Sequence, residues 1–188
     1  MSRSSRIQIP LLASLMLVAG CGYNTIQTLD EKVNQAQGQI QAQLQRRSDL
    51  IPNLVETVKG ITKQEDTVFI SIANARARLG GAMQSGSVPE MAAANEQLSQ
   101  GLGRLLAIAE NYPQLQSSQN FRQLQDQLEG TENRVAVARQ DYNAAVGEFN
   151  SYIRRFPYNL TAKVFGMGTP REYFAAAEGA TEVPRVEF

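Results

Sequence analysis

The sequence contains no histidine. That removes the commonest general base and the commonest neutral metal ligand. It also removes both the Ser-His and Cys-His pairings of nucleophilic catalysis. Tryptophan is absent, and cysteine occurs once, at Cys21, so no intramolecular disulfide can form. No surplus of either charge exists: 18 basic residues face 18 acidic ones. Arg3 and Arg6 lie in a segment expected to be removed, which leaves 16 basic against 18 acidic residues, a net of −2. Such a balance argues against nucleic acid as a partner, because binding phosphates needs excess Lys and Arg. No apolar run reaches the roughly 20 residues that a membrane-spanning helix needs.

What is present starts with a short leader. Arg3 and Arg6 precede an apolar stretch from Leu11 to Ala19, with Gln8 and Pro10 at its front edge. Basic residues, a short apolar core and small residues form a secretory signal. Val18-Ala19-Gly20-Cys21 follows at once and resembles the lipobox of bacterial lipoproteins. The expectation is a signal peptide over 1–20, cleaved before Cys21, with diacylglycerol on the Cys21 sulfur and an acyl chain on the new amine. Several acyl chains hold a protein stably where one is marginal. Gly22 stands where an aspartate would mark inner-membrane retention in enteric bacteria. An extracytoplasmic, membrane-anchored protein is therefore expected, at the outer membrane if the host is Gram-negative.

Beyond the leader the apolar spacing is helical. Ile26, Leu29, Val33, Ala36, Ile40 and Leu44 mark one stripe. Phe121, Leu128, Val135, Tyr142, Phe149 and Phe156 recur every seven residues, with Leu124, Ala138, Ala145 and Tyr152 in the second position of each heptad and Thr131 as its polar member. Ser/Thr-x-x-Glu capping boxes appear at Thr28–Glu31, Thr62–Glu65 and Ser87–Glu90. Gly60 suits a helix C-terminus with positive φ, Gly80-Gly81 reads as a loop, and Tyr112-Pro113 closes a helix. The prediction is an all-α fold: an antiparallel up-and-down bundle over 21–156, with helices at about 24–59, 62–80, 88–111 and 117–156. The first and fourth helices are long. Pro52 should kink or interrupt the first, and a single bent helix across Gly60 is the competing arrangement. An irregular tail, 157–188, is expected to pack on the bundle, with a short helix opening at Thr169-Pro170-Arg171-Glu172 and ending near Gly179. Because the long helices should overhang the short ones, Phe165 and Phe174 of the tail are expected to cover Ile26, Val33, Phe149 and Tyr152.

Candidate chemistry is sparse. Asp126, Glu129 and Glu132 sit three apart on one helix, but without histidine they read as a solvated face rather than a di-iron motif. Arg47 falls in the apolar Ile26–Val33–Ile40 series and needs an acceptor. Arg46, Arg47, Arg154 and Arg155 therefore form either interhelical ion pairs or a docking site for an acidic partner or lipid phosphate. No Gly-x-Ser-x-Gly or Ser-x-x-Lys string occurs. Gly101 and Gly103 read as places of close helix packing. No catalytic residue, cofactor or metal site is expected.

Several strings, taken together, resemble the LemA family: Tyr23-Asn24, Leu29-Asp30-Glu31, Leu44 to Gly60 (LQRRSDLIPNLVETVKG), Glu110 to Pro113, Asn120-Phe121, Thr131 to Arg134, Tyr142-Asn143, Phe156 to Leu160 and Phe165-Gly166. The likeness runs from about Tyr23 to Phe188. It implies a membrane-anchored helical bundle on the extracytoplasmic side, with membrane proteases and envelope-stress proteins as plausible partners, and it carries no catalytic activity. Many relatives keep an uncleaved transmembrane helix, whereas this leader ends in a lipobox. The resulting expectation is a lipid-anchored interaction or scaffold protein of the cell envelope. The alternative is a carrier or chaperone for an apolar ligand or envelope polypeptide.

Overall fold

The computed structural model describes residues 22–60 and 66–175. These residues are all-helical, without strands. Six helices are described: α1 (Tyr23–Lys59), α2 (Asp66–Ser85), α3 (Val88–Ala109), α4 (Pro113–Ser117), α5 (Gln119–Arg154) and α6 (Tyr158–Val164). The chain divides into two compact units. Unit 1 holds residues to Gly38 with Asp141–Glu172, and unit 2 holds Gln39–Gln140 with the chain from Tyr173.

In unit 2 the apolar stripes meet as their spacing requires. Leu44, Leu54, Leu79, Leu98 and Leu105 are each 0 % exposed, and burial of each such side chain contributes about 2 kcal/mol. α2 folds back on α1: Arg76 Nε lies 3.1 Å from the Ser48 carbonyl, 28 residues away in sequence. A continuous helix would hold those residues about 42 Å apart, so a single bent helix is ruled out. Lys59 Nζ stands 5.3 Å from the centre of the Phe69 ring, a second α1–α2 contact. α3 in turn folds back on α2, with Arg78 donating to Gln97 Oε1 at 3.0 Å. Gly101 is buried, and a Cβ there would stand 3.0 Å from Ile72 Cγ1, so this glycine does permit close packing. Gly103 does not, having open space around it.

Several expectations about helix ends need correction. Gly80-Gly81 is not a loop, since α2 continues to Ser85. The buried series Ile72, Ala75, Leu79 and Ala82 outweighs the roughly 1 kcal/mol cost of each helical glycine, and Gly86 takes the turn at φ +72°. Gly60 does not adopt positive φ; it follows the last residue of α1, and its N–H bonds the Glu56 carbonyl at 3.1 Å. Thr28 is no cap, because it lies inside α1 and its hydroxyl donates to the Asn24 carbonyl at 2.9 Å. Ser87 is the N-cap of α3 but makes no side-chain cap bond. Thr62–Glu65 lies outside the described residues. Ser118 supplies a cap that was not foreseen, accepting the Phe121 N–H at 3.5 Å at the start of α5. Pro113, rather than only ending α3, opens the short α4. Pro52 does not interrupt α1, which runs through it.

In unit 1 the second half of α5 presents Tyr142, Ala145, Val146, Phe149 and Ile153, all buried, and the first half of α1 presents Ile26, Val33 and Ala36, also buried. Phe156 departs from the predicted seam: α5 ends at Arg154 and Phe156 is 79 % exposed. The chain after Pro157 is not wholly irregular, since it forms α6. Gly166, at φ +74°, ends that helix while Met167 N–H reaches back to the Ala162 carbonyl at 2.7 Å, a Schellman closure. The helix expected from Thr169 is absent through Ala175; residues 176–188 lie outside the described part of the chain.

Candidate functional site

Cys21, the expected lipidation site, lies outside the described residues. Its neighbour Gly22 has φ +102°, and a Cβ there would run into the Tyr158 ring and come within 2.9 Å of the Tyr152 hydroxyl. Only glycine fits such a position. Tyr152 and Tyr158 stack with ring centres 4.4 Å apart, and Tyr23 packs on Phe165 at 4.6 Å. Phe165 is nonetheless 50 % exposed, and Phe174, 3 % exposed, belongs to unit 2.

What holds the chain after α6 in unit 1 is polar. Asn150, on α5, is buried. Its Nδ2 donates to the Arg171 carbonyl at 2.9 Å and its Oδ1 accepts the Arg171 N–H at 2.8 Å. The Tyr142 hydroxyl donates to the Glu172 carbonyl at 2.9 Å. The Arg171 guanidinium closes on Asp30 of α1 at 2.7 and 3.1 Å. These bonds explain the missing helix, because the backbone groups of 171 and 172 are already engaged. Burial raises the Tyr142 phenol above its ordinary value, and the Arg171 charge opposes that rise.

In unit 2, Arg47 is 4 % exposed. It donates to Asn95 Oδ1 of α3 at 2.8 Å and pairs with Glu132 of α5. Its Nε finds no partner among the described residues. Burial lowers the Arg47 pKa, with Glu132 and then Glu96 countering. Arg47 thus joins three helices. Asp126, Glu129 and Glu132 are all exposed as expected, and Glu132 reaches Arg47 from that face. Arg46, Arg154 and Arg155 are exposed. Among the described residues no three His, Cys, Asp or Glu side chains are placed to hold a metal ion. None of their helices is long and apolar enough to cross a membrane. A groove of about 380 Å³ lies between α1 and α2, lined by Pro52, Val55, Phe69 and Ile70 together with Glu56, Lys59 and Arg76.

The sequence profile of the LemA family matches residues 36–188. The chain belongs to the LemA family. It is similar to the magnetosome proteins MamQ 2 and MamQ 1 of Paramagnetospirillum magneticum, each 27 % identical over 175 residues. That alignment covers 81 % of this chain and 64 % of each relative, so the chain spans just under two thirds of their length. MamQ of Magnetospirillum gryphiswaldense is 23 % identical over 184 residues, covering 86 % of this chain and 68 % of that protein.

The LemA-like strings contain both halves of the Arg47–Glu132 pair, together with Asp30 and Tyr142. They miss Asn150, Arg171 and Arg76. Asn150 had a readable signal: it interrupts the apolar stripe between Val146 and Ile153, and a polar residue there requires partners.

Proposed function

We propose that this LemA-family protein is a lipid-anchored, extracytoplasmic interaction or scaffold factor of the bacterial cell envelope, with no catalytic role. Cys21 carries the acyl chains, and the outer membrane is the favoured membrane in a Gram-negative host. The observation that carries this reading is the use made of the buried polar side chains. Arg47, Asn95, Tyr142 and Asn150 are each committed to bonds between separate segments of the chain, which leaves shape and surface as the functional equipment. Envelope proteins, among them membrane proteases and stress-related proteins, are the proposed partners by family resemblance.

The finer architecture proposed is an antiparallel up-and-down bundle of α1, α2, α3 and α5. Contact order supports it. Along α1, Gly22 lies beside Tyr152, Lys32 on Glu148 and Arg47 on Glu132, so one index rises as the other falls.

The test is photo-crosslinking in intact cells from exposed positions 46, 137 and 154. Reproducible adducts with envelope proteins are expected, and their absence at all three positions would overturn the scaffold reading. Fatty-acid labelling that persists in Cys21→Ser would refute the anchor separately. The groove beside Pro52 favours one second reading, a carrier of an apolar molecule. An apolar fluorophore displaced by Phe69→Asp but not by Val137→Asp would support that reading instead.

A further inference from the structure

Four of the seven large apolar side chains exposed among the described residues fall between positions 156 and 165: Phe156 at 79 %, Leu160 at 52 %, Val164 at 74 % and Phe165 at 50 %. Single exposed apolar residues are ordinary, but a cluster marks a surface that meets something. α6 is two-faced. Thr161 and Ala162 are 0 % exposed, while Leu160 and Val164, one turn apart, point outward.

The charge around this cluster has one sign. Between Arg154 and Gly168 the chain carries Arg154, Arg155 and Lys163 and no acidic residue, and all three cations are exposed. The first described residues lie at the same place: Tyr23 packs against Phe165, and Gly22 lies against Tyr152 and Tyr158.

We propose that α6 and the turn before it form a membrane-seating surface. Phe156, Leu160, Val164 and Phe165 enter the headgroup–acyl boundary, and Arg154, Arg155 and Lys163 bind anionic headgroups. Apolar residues flanked by cations are the equipment of helices that lie in that boundary, and tyrosines such as Tyr152 and Tyr158 suit its polar edge. Each cation near an anionic surface strengthens attachment roughly fivefold. A protein partner would be expected to need acidic groups to match these cations, whereas an anionic bilayer offers them over its whole area. The proposal takes the side of the membrane from the lipid-anchored reading, but the contact itself stands without the anchor.

The chain has no tryptophan, so Phe156→Trp, Val164→Trp and, as a reference, Val137→Trp each introduce a lone indole. The full protein is reconstituted in phosphatidylethanolamine–phosphatidylglycerol vesicles with bromine on the acyl chains. The indoles at 156 and 164 should be blue-shifted and quenched by bromine at least twofold more than the one at 137. Replacing Arg154, Arg155 and Lys163 together by glutamine, or removing the anionic lipid, should weaken that quenching. Indoles at 156 and 164 that acrylamide reaches as readily as the one at 137 would overturn the proposal. So would shielding from both quenchers, which would mean a protein covers the patch. Quenching indifferent to lipid charge and to the glutamines would overturn the anionic component. The mass of the N-terminal peptide reads Cys21 acylation independently, so failure of the anchor and failure of the seating surface are distinguishable.

Discussion

Arg76 donates from Nε to the carbonyl of Ser48 at 3.1 Å, and also meets the Ser48 hydroxyl at 3.2 Å. Ser48 stands four residues before Pro52, which has no N–H to return to it. The carbonyl that proline strands in α1 is thus satisfied by the next helix. This is why α1 runs unbroken through Pro52.

Arg76→Ala should therefore cost roughly 1–2 kcal/mol, the value of a partly exposed, charge-assisted hydrogen bond. Pro52→Ala restores to Ser48 its own helical donor. In that background Arg76→Ala should cost less, with a coupling of about 1 kcal/mol in a urea-melt double-mutant cycle. Strict additivity of the two substitutions would show that Arg76 does not compensate for the proline.

Arg47 leads to a contrast between two substitutions. Glu132→Ala strands a buried guanidinium and should cost roughly 2–3 kcal/mol. The figure is set below that of a fully buried pair because the Glu132 side chain is 48 % exposed. Arg47→Met replaces the charge by an apolar chain of similar length and should stay within about 1 kcal/mol of wild type. Denaturant midpoints that reverse this order would mean that the ion pair itself, rather than the avoidance of an unpaired charge, holds the helices.

The tyrosine at 142 gives the protein an alkaline limit. Its phenol is raised in the folded state, so the folded chain keeps that proton longer than the unfolded chain does. Its contribution is complete below the unfolded value near about 10 and is lost as pH rises through the folded value. Tyr142→Phe should cost about 1 kcal/mol at neutral pH. The gap between the two proteins should narrow in urea melts taken above about pH 10; a gap that stays constant from neutral to alkaline pH contradicts this assignment.

Asn150→Leu removes both bonds to the Arg171 backbone. Amide exchange at Arg171 and Glu172 should accelerate at least roughly tenfold, the equivalent of about 1.4 kcal/mol of lost protection. Amides in the middle of α5 should hold. Unchanged exchange at Arg171 would mean that the Arg171–Asp30 pair and the Tyr142–Glu172 bond secure this segment without Asn150.

The helices were legible because their apolar residues keep a helical period over many turns. Val135, Tyr142 and Phe149 are buried as their heptads require. The errors fall where tertiary partners decide. Gly80-Gly81 looks like a break until the burial of Leu79 and Ala82 is known, and Thr169–Glu172 looks like a cap until Asn150 and Tyr142 claim its backbone. The Arg47–Glu132 pair was half legible: a buried arginine announces that it needs a partner without naming it. Arg76 had a subtler clue in Pro52, since a proline inside a helix implies an unclaimed carbonyl. Cys21 lies in a segment outside the described residues and rests on its motif.

Gly22 has a consequence for how the anchored protein behaves. Were lipid on Cys21 as proposed, the leash between acyl chains and folded body would be short, because Gly22 already packs against Tyr152 and Tyr158. The body would then not drift from the bilayer as a tethered ball does. On that proposal the residue just after the cysteine would also be where enteric bacteria write a sorting instruction, and here that position carries a packing requirement. A Gly22→Asp exchange, made to redirect the protein between membranes, would pry apart the aromatic pair above it and report damage as though it were traffic.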